Sequence, residues 1–329
     1  MYNSELTLPL NDNNLVGDAI LKNIDNIRNI DLSNNTLQSF KIEGGSIAPW
    51  GGRFYLENGK ATNLWITMDN VNVSTRDVTF YAQKSNMQSA YIKNCKFEEK
   101  DGTTICFDKD VTKTIPQYGY DVVVEKCSNI RSLQGLSTLS EPGKYDKYNM
   151  LDVGEIKIVN CTFPMQPFYL NCAKATSFVM KDCAPSQEQT GASFGDCEID
   201  KVVIENSVLS SVWVHGVSEI AGSGGLYSTG AKIKSMVLDN VGFRGRLQFY
   251  CEKGGYVGSL IIRNSTTHLS IQTAEPMDVS LENCTFEHIS EWGAENIYHI
   301  TNCVSLLYNK SITSFVGTAK QLEELLNAM

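Results

Sequence analysis

Short runs of alternating apolar and polar residues, each closing on an asparagine, recur along most of this chain. Val279, Leu281, Asn283, Cys284 and Phe286 set the pattern, which returns at Ile156, Ile158, Asn160, Cys161 and Phe163 and at Val202, Ile204, Asn206, Ser207 and Leu209. Tyr91, Asn94, Cys95 and Phe97 repeat it too. Taking the asparagine place as an anchor gives positions 70, 94, 126, 160, 182, 206, 240, 264, 283 and 302, with Lys126 and Asp182 as the exceptions in type. Each alternating run predicts a short strand with one face inward. The anchor predicts a bend, because asparagine takes the left-handed backbone more cheaply than other residues with a side chain. The residues one and three places beyond it then return to the inside. Gaps of 19 to 34 residues between anchors predict a solenoid with loops of variable length. Stacked rungs set like residues roughly 4.8 Å apart, so the asparagines are expected to turn inward and pair their amides as a ladder.

With its inward asparagine ladder, the repeat resembles the right-handed parallel β-helix of the pectin-lyase-like superfamily, of the kind seen in phage tailspike and tail-fibre proteins. The resemblance spans about residues 34–316. It implies an all-β, right-handed, single-stranded parallel β-helix solenoid, and says little about activity, since that fold carries lyases, hydrolases, esterases, adhesins and inert spikes. Ile27, Ile30, Leu32, Asn35 and Leu37 also fit a leucine-rich repeat. Later copies leave one residue between the last apolar strand position and the asparagine, however, where that template needs two.

Short helical caps are expected at both ends. Residues 1–30 read as an N-terminal cap, with Leu15, Val16, Ala19, Ile20 and Ile24 at the spacing of an amphipathic helix. Residues 31–316 form the solenoid, and Gly44 replaces a bend asparagine for the same backbone reason. Trp50 to Tyr55 read as a loop leading into strands. Three long gaps, Asp101–Pro116, Arg131–Val153 and Gly216–Ala231, read as insertions. Residues 317–329 predict a capping helix with Thr318 at its N-cap and Leu322, Leu325, Leu326 and Met329 as an apolar stripe. A lid over the last rung is one reading of that stripe. A contact about a threefold axis, giving a homotrimer, is the other.

Charge and cysteine usage narrow the partners. A formal net charge of −9 over 329 residues, with no basic stripe, argues against a nucleic-acid groove. The sequence has no apolar run long enough for membrane insertion. Residues 1–6 lack the basic start and apolar run of a signal peptide. All ten cysteines are expected to be free thiols, most of them in a core column next to the anchors, as suits folding in a reducing cytosol. No metal site is expected from their spacing, and no cofactor is implied. Asn160, Asn264 and Asn283 match the glycosylation sequon, but inward side chains would bar modification.

Candidate chemistry falls on the strands after the bends. Alternation there turns Val212, Val214, Leu247, Phe249, Leu269 and Ile271 inward. Expected outward columns are Ser211/Arg246/His268/His288, Trp213/Gln248/Ser270/Ser290 and His215/Tyr250/Gln272/Trp292. Trp213, His215, Arg246, Gln248, Tyr250, His268, Gln272 and Trp292 would form one face. Aromatic rings beside hydrogen-bonding groups suit a sugar or a protein contact. Paired carboxylates of the glycosidase kind are missing from these columns, and no catalytic residue is assigned. The expectation is a non-enzymatic structural or glycan-binding protein of a phage virion, assembled in the host cytoplasm and contacting other virion proteins or a cell-surface polysaccharide. A polysaccharide lyase or glycoside hydrolase remains open, as does a carbohydrate-binding or adhesin module, secreted or on a bacterial surface.

Overall fold

The computed structural model describes residues 6–9, 15–56, 64–81, 87–108, 121–135, 151–164, 168–171, 173–185, 191–195, 197–215, 230–242, 246–251 and 255–329. The chain is an all-β parallel solenoid closed by one short C-terminal helix. Strands carrying the sequence repeat stack into one ladder: Leu64–Asp69 pairs with Met87–Lys93, that with Asp121–Glu125, and so on to Ile297–Ser305. The strands beyond the bends stack into a second ladder, from Arg53–Tyr55 to Thr285–Gly293. Every pairing in both is parallel until Lys310–Gly317, which folds back antiparallel on Ile297–Ser305. Each turn adds a strand to both ladders, one on each side of the anchor bend, where a leucine-rich repeat supplies a single strand per repeat. No helix among the described residues is long and apolar enough to cross a membrane.

All ten anchors adopt the left-handed backbone, with φ between 48° and 55°, and Gly44 does so at 67°. The residue after each anchor and the one two places before it are buried. The anchor itself is not. Asn206, Asn240, Asn264 and Asn283 are exposed, so the expected inward amide ladder is corrected to an outer one. The left-handed residue adds one position at the corner and leaves two successive side chains outside. Asn240 Nδ2 still donates to Asn206 Oδ1 at 3.0 Å, and Asn283 Nδ2 to Asn264 Oδ1 at 3.4 Å. Asn264 also donates to Asp239 at 2.7 Å. The steric argument against the sequons at Asn160, Asn264 and Asn283 therefore falls, since all three are exposed.

Inside the corner sits a column of small polar atoms. Cys95 Sγ donates to the carbonyl of Lys93 at 3.2 Å, while the Cys95 N–H donates to Cys127 Sγ on the next rung at 3.4 Å. Ser207 repeats both bonds, accepting from the Cys183 N–H at 3.2 Å and donating to Glu205 O at 2.9 Å. The position wants one small group that accepts from the previous rung and donates within its own, which is why cysteine and serine interchange there. Nine cysteines are buried and free, and Cys172 lies outside the described residues. Hydrogen bonds between neighbouring thiols, and then burial, push Cys127, Cys183 and Cys284 far above the ordinary thiol range. Bonds to Cys127 and to Cys284 pull their respective partners Cys161 and Cys303 down. Apolar stacks fill the rest. Phe54, Phe80 and Phe107 stack in series at 5.3 and 5.4 Å, each fully buried, and each such ring contributes about 1.5–3 kcal/mol by leaving water.

The N-terminal helix is a strand. Val16–Asp31 pairs with Thr36–Ile47 and Arg53–Tyr55, supplying both ladders from one run. Gly17, Ala19 and Leu21 face the interior while Val16, Asp18, Ile20 and Lys22 face out. Asn23 and Asn26, at φ 54° and 57°, bend the chain as later anchors do. Stacking on an existing rung satisfies the backbone of this segment, and that outweighs the helical spacing of its apolar residues. At the other end, helix α1 (Ala319–Ala328) begins at a Thr318–Gln321 capping box. Leu322 and Leu326 are buried on the core, as a lid requires, whereas Leu325 and Met329 remain exposed. Of the expected insertions, residues 109–120, 136–150 and 216–229 lie outside the described residues, whereas Thr103–Asp108, Ile130–Gly135 and Leu151–Val159 are ladder strands.

Candidate functional site

Five consecutive rungs of the second ladder are involved, the four expected to carry the face and Gly191–Gly195 stacked before them. They are Gly191–Gly195, Ser211–His215, Arg246–Cys251, Thr266–Thr273 and Thr285–Gly293. Their inward residues anchor them: Val212, Phe249 and Ile271 stack in the core, as do Val214 and Cys251. Strand alternation then fixes which side chains point out.

One junction differs from expectation. Trp213 pairs with Tyr250 and Ser211 with Gln248, two residues away from the expected register. The corners differ in length, since Tyr250 lies ten positions beyond Asn240 while Trp213 lies only seven beyond Asn206. Arg246 over His268, Gln248 over Ser270 and Tyr250 over Gln272 hold, as does Gln272 over Trp292.

The observed register gathers the face into a single outward column, Trp213–Tyr250–Gln272–Trp292, which ends on the buried Ser193 of the preceding rung. From Trp213 to Trp292 it covers three rung spacings, roughly 14 Å at the usual strand separation. Trp213 meets Tyr250 edge to face at 5.4 Å and is 41% exposed, and Trp292 is 63% exposed. His215 is half-buried, its Nε2 2.8 Å from Ser193 Oγ, so it supports the first rung instead of lying in the column. Arg246 and Gln248 are exposed beside the aromatic column, and Gln272 is half-buried within it. His268 lies 4.0 Å from Glu287, its ring 5.9 Å from that of His288. Such a surface offers apolar ring faces for stacking, flanked by amide, hydroxyl and guanidinium groups for hydrogen bonding.

Glu291 occupies an inward place on the last rung, opposite Ile271. A carboxylate is tolerated there because three donors converge on its Oε1. They are the Asn296 N–H at 2.8 Å, Asn296 Nδ2 at 2.6 Å and the Tyr298 hydroxyl at 3.1 Å. Asn296 is itself fully buried and accepts from Thr273 Oγ1 and the Met277 N–H. Burial first, and the nearby Glu291 charge second, push the Tyr298 hydroxyl far above its ordinary pKa.

Away from this face, a cleft of about 520 Å³ has no counterpart in the sequence reading. Trp50, Arg53, Arg76, Asp77, Tyr81 and Glu99 line it. Trp50 is 80% exposed with φ 64°, a conformation that costs an L-residue of this bulk about 1–3 kcal/mol. Arg76 lies 3.7 Å from Glu99. The Trp50-Gly51-Gly52 run was the available signal, and it reads as an ordinary turn until the rung stacking brings Arg76 beside it. Among the described residues no group of three or more His, Cys, Asp or Glu side chains could hold a metal ion. No protein-family model, curated protein or solved structure matches the chain.

Proposed function

We propose that this protein binds a glycan along the Trp213–Tyr250–Gln272–Trp292 column, as a non-catalytic component of a phage tail, fibre or spike. The observation that carries the reading is the register. Three aromatic side chains and an amide share one outward column on successive rungs, with Arg246 and Gln248 alongside. An extended sugar chain presents alternating ring faces and hydroxyls, and a column of this kind meets both. Removing the face costs the core little, because these side chains point away from it. The outward columns pair no two carboxylates across rungs, so binding fits them better than glycosidic cleavage does. The virion setting rests on the solenoid together with its column of reduced thiols, which suits folding in a cytoplasm before assembly.

An array of bacterial surface polysaccharides, probed with the intact protein, tests the binding. Trp213→Ala and Trp292→Ala are each expected to weaken the bound glycan about tenfold, or ~1.4 kcal/mol, with melting temperature unchanged. Equal binding by both variants, or no ligand on the array, would sink the reading and leave the aromatic column as a protein contact. Mass spectrometry of purified particles tests the setting, which falls if the protein is missing from them.

A further inference from the structure

Beneath α1, at the end of the aromatic column, lies a cleft of about 380 Å³. That places it at the low end of small-molecule sites, which span about 300–1,000 Å³. Ile289, Leu322 and Leu326 supply apolar wall, and Trp292 belongs to both the column and the cleft. Two polar features of its lining point to a ligand. Ser305 is only 1% exposed, and its Oγ has no hydrogen-bond partner. A buried hydroxyl left unpaired costs about 1–3 kcal/mol, so it calls for a partner that the protein does not provide. Glu291 also lines the cleft, and all three of its protein hydrogen bonds fall on Oε1. Oε2 is left without a donor among the described residues. Glu287 and Glu323 line the cleft as well, against the single lysine Lys320, so acidic groups outnumber the lysine and a negatively charged guest is disfavoured.

From this we infer that the cleft under α1 is an end pocket that takes one terminal sugar unit, neutral or bearing an amine. Its hydroxyl or ammonium group donates to Glu291 Oε2, and Ser305 Oγ gains its missing partner from the same unit. The inference rests on the glycan-binding reading of the column, which it deepens: the column would hold the body of a chain and the pocket its end. Acidic sugars are excluded by Glu287, Glu291 and Glu323. Specificity for a chain terminus then comes from α1, whose Ala319, Leu322 and Leu326 wall the cleft at the Trp292 end of the column.

Saturation-transfer NMR on the full chain tests this with free glucose, galactose, mannose, glucosamine and N-acetylglucosamine, and with glucuronate as the acidic control. At least one neutral or amino sugar is expected to bind, and glucuronate is not. Glu291→Gln, which keeps an oxygen for Asn296 and Tyr298, is expected to weaken that sugar at least about fivefold. Ser305→Ala is expected to weaken it too while leaving the melting temperature level or higher, because it deletes an unpaired buried group. Preference for glucuronate, or sugar binding untouched by Glu291→Gln and Ser305→Ala, would overturn the pocket. So would an oligosaccharide that binds the array through Trp213 while none of the single sugars binds, and in that case the column reading survives. If neither single sugars nor array glycans bind, both readings fall together.

Discussion

At their bends Asn206 and Asn264 hold the left-handed backbone while their amides stand in solvent. Left-handed backbone is a local property, so Asn206 or Asn264 announces it by residue type alone, and φ near 50° follows. Where the side chain points depends on how the corner is cut, and no pairwise spacing reveals that. The exposed geometry changes what a substitution should do. With the amide outside, Asn264→Leu should cost about 1–2 kcal/mol through backbone strain, while Asn264→Gly should be close to neutral. Urea midpoints of the two variants check this, and equal losses would return the cost to amide pairing. Lys126 is the natural counter-case, a lysine held at φ 53° with most of its side chain in solvent. Lys126→Asn should therefore stabilise the protein by about 1 kcal/mol, since its contact with Glu125 is a surface pair of small worth.

At the scale of elements, the strands with an apolar–polar alternation and an anchor were readable, and so was α1 from Thr318 and its leucines. Two things were not. The run from Val16 to Ile24 carries both a helical and a strand period, and only a neighbouring rung decides between them. The Trp213 register depended on corner length, which residue types do not encode. The last rung shows a further element-scale effect, because Glu291, Asn296 and Tyr298 tie its two ladders together. A tyrosine whose folded pKa is raised keeps its proton after the unfolded chain has lost it. Stability is thus unaffected below the ordinary tyrosine pKa of about 10 and falls as pH rises above it. Tyr298→Phe should flatten that alkaline loss while costing about 1 kcal/mol at neutral pH for the missing hydrogen bond. Thermal melts between pH 8 and pH 11 (roughly one unit beyond that ordinary value) compare the two, and parallel curves would remove Tyr298 as the cause.

At the scale of the molecule, each rung rests on its two neighbours, so stability accumulates along the rod instead of gathering in one centre. The thiol column belongs to this scale. It runs through rungs far apart in sequence, and its members were readable as core because each follows an anchor. Denaturing titration should find ten thiols with or without reductant, and the native protein should react at few of them, given that nine are buried. Two or more disulfides in fresh protein would contradict the reduced column and the cytoplasmic folding proposed from it. The proposed face was partly legible for the same reason: alternation told which residues of Arg246–Cys251 and Thr266–Thr273 point outward, while Trp50 and Arg76 come to line one cleft only through stacking.

The closing antiparallel strand gives the rod a mechanical polarity. Under traction at the N-terminal end, the described rungs, which pair there through parallel ladders, can peel away singly, each breaking only its own bonds to the next. At the C-terminal end Lys310–Gly317 is clasped against Ile297–Ser305 and α1 is seated on the last rung, so the first yield must free strand and helix together. A load transmitted through the C-terminal end meets its largest resistance first, and the same load drawn from the other end would unreel the protein one coil at a time.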